Sequence, residues 1–204
     1  MKEDVEISSL DLRFESYRIR SEKTEKALLG SIIENGILDP LQGIDSNGAR
    51  ILLNGFKRYR CAKKLDIRII PYISLGSDEA YGIITFLRDS NVKSLDVMEQ
   101  AHLIEELRVV YHLKNGEIAR LLERSKGWVS MRTGLITEMS EVVKELIFKG
   151  EFSSYAYMYT IRKFMRMNKI SKKDIETFVV AVSGKNLSIR DIKILAHDKQ
   201  MTHL

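Results

Sequence analysis

No proline follows Pro71 in this 204-residue chain, and only Pro40 precedes it. Proline is the residue that most reliably interrupts a helix. The last two-thirds of the chain is therefore free to form long helices. The first third carries the turn and β-branched signals of a mixed region. The expectation is an α+β chain: residues 1–76 as a small α/β domain, and residues 77–204 as an all-helical domain.

The pattern along the first part supports that division. Val5–Leu10 reads as a short strand and Glu25–Asn35 as a helix stopped by Gly36. Leu41–Ile44 and Arg50–Leu53 flank a Ser-Asn-Gly turn and read as a hairpin. Gly55 opens a helix over Phe56–Leu65, and Ile69–Ser74 is a β-branched strand. Beyond residue 77 the reading is helical throughout: Asp78–Ser90, then Asp96 with Glu99 as a capping box, running to about His112. Further helices fall at about 139–149, 152–167, 171–183 and 187–197, with Ser188 a candidate cap. Tyr155, Tyr157 and Tyr159 alternate too fast for one helix face, which argues against a stacking platform.

Charge comes in blocks. Residues 50–68 carry a net +6, residues 144–173 a net +6, and residues 74–107 a net −5. Basic blocks suit polyanions such as nucleic acid or nucleotide phosphates, and solvated helix faces are the plain alternative. Cys61 is the one cysteine, so no intramolecular disulfide forms; it reads as a small buried hydrophobe. The N-terminus has no signal-peptide pattern, and no apolar run approaches the roughly 20 residues that span a bilayer. The expected location is cytoplasmic, associated with nucleoid or plasmid, with no membrane partner.

Residues 115–135 read as a helix-turn-helix. Ala119 is the small residue where two helices cross, and Ile118, Leu121 and Leu122 form an apolar face. Arg124–Gly127 forms the turn, Ser125 caps the second helix, and Val129 is its buried apolar residue. Lys126, Gly127, Trp128, Ser130, Met131 and Thr133 fall on or near the exposed face, while Arg132 is either exposed or reaches a phosphate. N-terminal residues of such a helix meet base edges in double-stranded DNA. Glutamate at Glu123 stands where this turn commonly has glycine, an uncomfortable choice in left-handed backbone.

Three ordered stretches carry a resemblance: LLGSIIENGILDPLQGI at 28–44, LLNGFKRYRCAKKL at 52–65, and the helix-turn-helix with Ala119, Ser125, Val129 and Ser130 in register. Over roughly residues 8–165 the chain resembles the ParB/Spo0J family of DNA-partition proteins. The resemblance implies a sulfiredoxin-like N-terminal fold that binds cytidine triphosphate (CTP) with magnesium. It places Gly55, Lys57, Arg58 and Arg60 around the triphosphate, and either Arg18 or Arg20 as a further arginine. A glycine opening a helix suits phosphate, because free N–H groups point from the helix start. Phe56 and Lys57 depart from the family's glutamate and arginine. In RDSNVKSLD at 88–96, Asn91 is retained, Ser90 replaces a glutamate, and Asp89 is the candidate substitute as metal ligand.

The resemblance also implies a homodimer, a ParA-type ATPase partner and a weak CTPase activity. The chain leaves little room for the family's separate dimerisation domain, so either it is a shortened form or it dimerises through its helical part. SGKNLSIRDIKILA at 183–196 reads as core or as a partner surface. The leading function is sequence-specific DNA binding in partition or maintenance of a plasmid, chromosome or mobile element. A transcriptional regulator without nucleotide binding is the second reading, and a ParB-like nuclease a third. The nuclease lacks a carboxylate cluster, and His102 and His112 are too far apart along a helix to share a metal.

Overall fold

The computed structural model describes residues 2–89 and 95–201. Five strands form one mixed sheet: β1 (Lys2–Glu6), β2 (Leu10–Asp11), β3 (Leu41–Ser46), β4 (Ala49–Asn54) and β5 (Ile69–Ser74). Their order is β1-β5-β3-β4-β2. The single strand expected over Val5–Leu10 is two strands, because a 3-10 turn at Ile7–Ser9 divides it. Its halves pair at opposite ends of the strand order, β1 antiparallel to β5 and β2 parallel to β4. Four Cα steps from Glu6 to Leu10 reach about 15 Å at most. Four strand spacings measure about 19 Å. The sheet must therefore curl so that its two edges approach.

The β3–β4 hairpin forms where the sequence places it. Asn47 and Gly48 both take positive φ, 51° and 79°, as a two-residue hairpin turn of this twist requires. Helix α1 (Glu22–Asn35) starts three residues earlier than its apolar spacing suggests, because the Ser21 side chain accepts from the Thr24 N–H. Helix α2 (Phe56–Lys64) follows β4 directly.

Helices α3 (Glu79–Asp89), α4 (Val97–Val109), α5 (Asn115–Leu121), α6 (Lys126–Glu138) and α7 (Glu141–Phe148) come next. The capping box on α4 is present: Asp96 accepts from Met98 N–H, and Glu99 accepts from Asp96 N–H. Three consecutive segments follow, α8 (Ser154–Ala156), a π-helical turn (Tyr157–Ile161) and α9 (Arg162–Asn168), then α10 (Lys172–Val182) and α11 (Ile189–Met201).

Two apolar clusters fill the interior. The first joins the sheet to α3, α4, α5 and the start of α6, from Val5 through Ile83 and Leu107 to Val129. The second gathers α7 to α11 around Leu135, Ile147, Tyr157, Val179 and Ile192. Helix α4 serves both: Leu103, Ile104 and Leu107 pack into the first and Met98 into the second. It is the beam between the sheet and the C-terminal helices.

The three tyrosines do not share one helix face, as their alternation predicts. Tyr157 is buried, but Tyr155 and Tyr159 are exposed and their rings lie 4.3 Å apart. Residues four apart share a helix face, so the outer two rings meet, tilted 43° to one another, while Tyr157 turns inward.

Candidate functional site

An open cleft of about 850 Å³ lies between the sheet region and the helices. Its wall on the α/β side includes Arg18, Gly55, Lys57, Arg58 and Arg60. The facing wall brings Gln100, Met131, Arg132, Tyr155 and Tyr159. Residues that the sequence assigns to two separate tasks thus border one cavity.

Gly55 caps α2 with φ of 100° and offers no side chain. A Cβ there would stand 2.7 Å from Leu41 Cγ, so only glycine fits. The N–H groups that open α2 consequently have no side-chain cap, the arrangement an anion uses.

The arginines differ in availability. Arg18 lies largely buried, its Nε 3.4 Å from Glu99 Oε1, and its Nη1 is buried without a hydrogen-bond partner. Burial holds its pKa below the usual guanidinium range. An unpartnered buried donor costs free energy unless something completes it, so Arg18 is the group that best fits an incoming anion. Arg20 is exposed and does not line the cleft; its backbone N–H donates to Phe148 O.

Arg58 spends Nη1 on the carbonyls of Asp39 and Pro40, at 2.7 and 2.8 Å. Burial lowers its pKa. It ties α2 to the loop entering β3. Arg60 bonds Glu25 through Nε at 3.0 Å and Glu15 through Nη1 at 2.8 Å. Burial alone would lower its pKa, but the bonds to Glu25 and Glu15 outweigh it and raise the value. Arg60 therefore borders the cleft with its charge already balanced by carboxylates. Lys57 lines the cleft half-buried.

The cleft floor joins both halves. Glu99 accepts from the Ile19 N–H at 2.9 Å, and Ser154 Oγ donates to Asp96 Oδ2 at 2.6 Å. The α4 N-terminus thereby holds the segment bearing Arg18 and the start of α8. Burial pushes the Glu99 pKa up, against the pull of Arg18.

Asp89 ends α3, exposed and away from the cleft lining; Ser90 and Asn91 lie outside the described residues. Among the described residues no group of three or more His, Cys, Asp or Glu is placed to hold a metal ion. The described residues that line the cleft fit an anionic ligand. Cys61 is buried in α2 with Sγ 3.6 Å from Glu25 O, and burial raises its pKa. That is packing chemistry and not a nucleophile's environment.

Helices α5 and α6 meet at Ala119, buried, opposite fully buried Val129. Glu123 in the connecting turn is left-handed, φ 55°. Ser125 caps α6 by accepting from the Trp128 N–H at 3.1 Å. Ser125, Lys126, Gly127 and Ser130 are exposed, and Trp128 and Met131 are half-buried. Two residues are not where the sequence reading puts them. Thr133 is buried, its hydroxyl donating to Ser130 O. Arg132 is buried too: its guanidinium carbon lies 3.3 Å from the Trp128 ring centroid, and its Nε donates to Gln100 Oε1 at 2.7 Å. Arg132 thus falls on the side of α6 that packs toward α4. The cleft roles of Gln100, Tyr155 and Tyr159 escape sequence reasoning, since they depend on how α4 and α8 sit against the sheet.

Among the described residues no helix is long and apolar enough to cross a membrane. A family profile described as KorB domain matches residues 111–200. A probable chromosome-partitioning protein ParB of Helicobacter pylori is 23% identical over 91% of this chain. The stage 0 sporulation protein J of Bacillus subtilis is 26% identical over 93% of it. The chain spans 61% and 66% of the length of those two relatives. A solved Pnob8-like ParB-N domain shares the fold at 15% identity, with a TM-score of 0.50 over 85% of this chain and 83% of that one. The profile match and these relatives, which align along nearly its whole length, make the chain similar to the ParB/Spo0J partition proteins.

Proposed function

We propose that this chain is a sequence-specific DNA-binding protein of ParB type whose duplex binding is governed by CTP held in the cleft. The observation that carries the reading is the single cavity bordered by Gly55, Lys57 and Arg18 on one side and by Met131 and Arg132 of α6 on the other. Helix α6 is the DNA reader, with Lys126, Gly127 and Ser130 at its exposed start and Ser125 capping it. Gly55, the N–H groups of the first α2 turn, Lys57 and the unpartnered Arg18 Nη1 hold the phosphates. Bound nucleotide supplies negative charge to that cradle. The chain's own contribution is to orient it beside α6, through the Arg18–Glu99 and Asp96–Ser154 contacts. A homodimer acting on a replicon in the cytoplasm, with a ParA-type ATPase as partner, completes the reading.

Selection of bound duplexes from random DNA, followed by CTP titration with and without the winner, tests it. Lys126→Ala or Ser130→Ala is expected to lower affinity for the winner by about 1–3 kcal/mol per lost base contact. A palindromic winner supports a two-fold dimer. No enriched sequence, or an unchanged affinity in both variants, would sink the assignment of α6.

One observation favours a second reading, a regulator that binds DNA without nucleotide. Arg60 is already bonded to two carboxylates and Arg58 has committed its Nη1 to two carbonyls, which lessens the positive charge the cleft can offer a triphosphate. Absence of CTP binding both with and without DNA would establish it in place of the first.

A further inference from the structure

The exposed face of α6 runs on beyond its first turns. Ser130 and Thr137 are exposed and Gly134 is half-buried; with Lys126 they recur at spacings of three and four, a single stripe. From Lys126 to Thr137 the stripe is about 16 Å long. The major groove is about 12 Å wide. A helix that enters end-on, with its first turn against base edges, therefore carries its last turn out of the groove, past a phosphate strand.

A basic corner stands at that exit. Lys172 Nζ donates to Thr137 O at 2.6 Å, which sets the start of α10 against the end of the stripe. Arg162 and Arg166 both bond Glu138, the last residue of α6, at 2.6–2.9 Å. Arg162 also crosses Gly134 so closely that a Cβ there would lie 2.8 Å from its Nη2. These bonds fix α9 and α10 to α6. Lys169, left-handed at φ 51°, turns the chain sharply between α9 and α10. From residue 162 to 173 there are six bases and no acid, and Lys169, Lys172 and Lys173 are exposed. Of the acids near this corner, Glu138 is bonded to the two arginines and Asp174 to the Ser171 hydroxyl that caps α10, while Glu176 follows Lys172 and Lys173 one turn along α10.

We propose that Lys169, Lys172 and Lys173 form a second DNA contact, a phosphate-backbone clamp at the exit of α6 from the groove. It rests on the reading of α6 as the groove helix. It adds a surface outside the α5–α6 pair that supplies affinity and register without reading sequence. Arg166 supports the corner from its bond to Glu138.

The test is anisotropy of a labelled duplex carrying the selected sequence, and of a scrambled duplex, from 50 to 300 mM salt. The variant K169Q/K172Q/K173Q is expected to weaken both duplexes alike. The slope of log affinity against log salt should shrink by roughly 0.9 per phosphate contact removed, and so by about 2–3. K169Q/K173Q keeps the Lys172–Thr137 bond, and with it the seating of α10, and should shrink the slope by about 2. An unchanged slope in both variants overturns the clamp while leaving α6 in place. A loss confined to the selected duplex also overturns it, since that is base reading. A wild-type protein that binds neither duplex overturns the reading of α6 and the clamp together.

Discussion

The Arg132 guanidinium carbon lies 3.3 Å from the centroid of the Trp128 ring, and the same group donates to Gln100 Oε1 and to Trp128 O. Trp128 is thus covered on one face by a cation that α4 holds in place. Burial, then repulsion by Arg124, lowers the Arg132 pKa to about 10, so the side chain stays charged at neutral pH. The stack and the bond to Trp128 O hold Arg132 on α6, and its bond to Gln100 fixes the first turns of α6 against α4.

Arg132→Met should therefore act as a stability change. It keeps apolar volume against Trp128 but strips the buried Gln100 oxygen of its donor. The expected loss is about 2–3 kcal/mol, read as a lower urea midpoint with unchanged m-value. Arg132→Lys should recover little, because an ammonium cannot both stack and fork. Wild-type stability in the methionine variant would show that the stack is incidental.

This pair also marks the limit of sequence reading. The β3–β4 hairpin, the Gly55 helix start, the α4 capping box and the α5–α6 turn are written locally, in turn residues, caps and apolar spacing. Gly55, Arg18 and Lys57 border one cleft, although Arg18 is far from the other two in sequence. What local pattern cannot carry is which face of α6 turns inward. Arg132 and Thr133 look like polar surface in sequence, and only tertiary packing buries them, for Arg132 the bond to Gln100 of α4. Arg60 is similar. Its carboxylate partners Glu15 and Glu25 are 45 and 35 positions away, so its neutralisation is a tertiary fact.

Glu123 pays a backbone penalty that glycine would remove. A left-handed L-residue costs about 1–2 kcal/mol, and the exposed Arg88–Glu123 pair at 3.4 Å returns at most about 1 kcal/mol. Glu123→Gly should raise the melting temperature, with a net gain of up to about 1 kcal/mol. A fall in melting temperature would mean that the turn is held by more than its φ.

Gly55→Ala should lose stability and ligand binding together. The left-handed φ contributes about 1–2 kcal/mol of cost, and the 2.7 Å approach to Leu41 Cγ adds about 1–3 kcal/mol of overpacking. Lys57→Ala leaves the backbone untouched and should lower CTP affinity without moving the urea midpoint. Calorimetric titration of both variants separates cradle from charge: equal CTP affinity in Lys57→Ala and wild type would remove Lys57 from the site.

His102 gives the fold a defined acid sensitivity. Its ring sits between Tyr17 and Phe148, with centroids 5.0 and 4.9 Å away, and its Nε2 is buried without a partner. Burial, then repulsion by Lys144, lowers its pKa to about 4, with Glu141 opposing. The unfolded chain binds this proton near pH 6.5 and the folded chain only near pH 4. The histidine's contribution to stability is therefore complete above pH 6.5 and is lost as pH falls toward 4. A full shift of this size corresponds to about 3 kcal/mol; with the ring still partly exposed, about 1–2 kcal/mol is expected. His102→Phe keeps the aromatic stack and removes the proton site. Its urea midpoint should fall less than the wild-type midpoint between pH 6.5 and 4, whereas protonation of other acids acts on both proteins alike. Lys144→Gln should move the His102 titration, followed by NMR, to higher pH by removing a repelling charge. Parallel midpoints for His102→Phe and wild type across this range would mean that the ring is protonated without cost and that its place between Tyr17 and Phe148 is open to water.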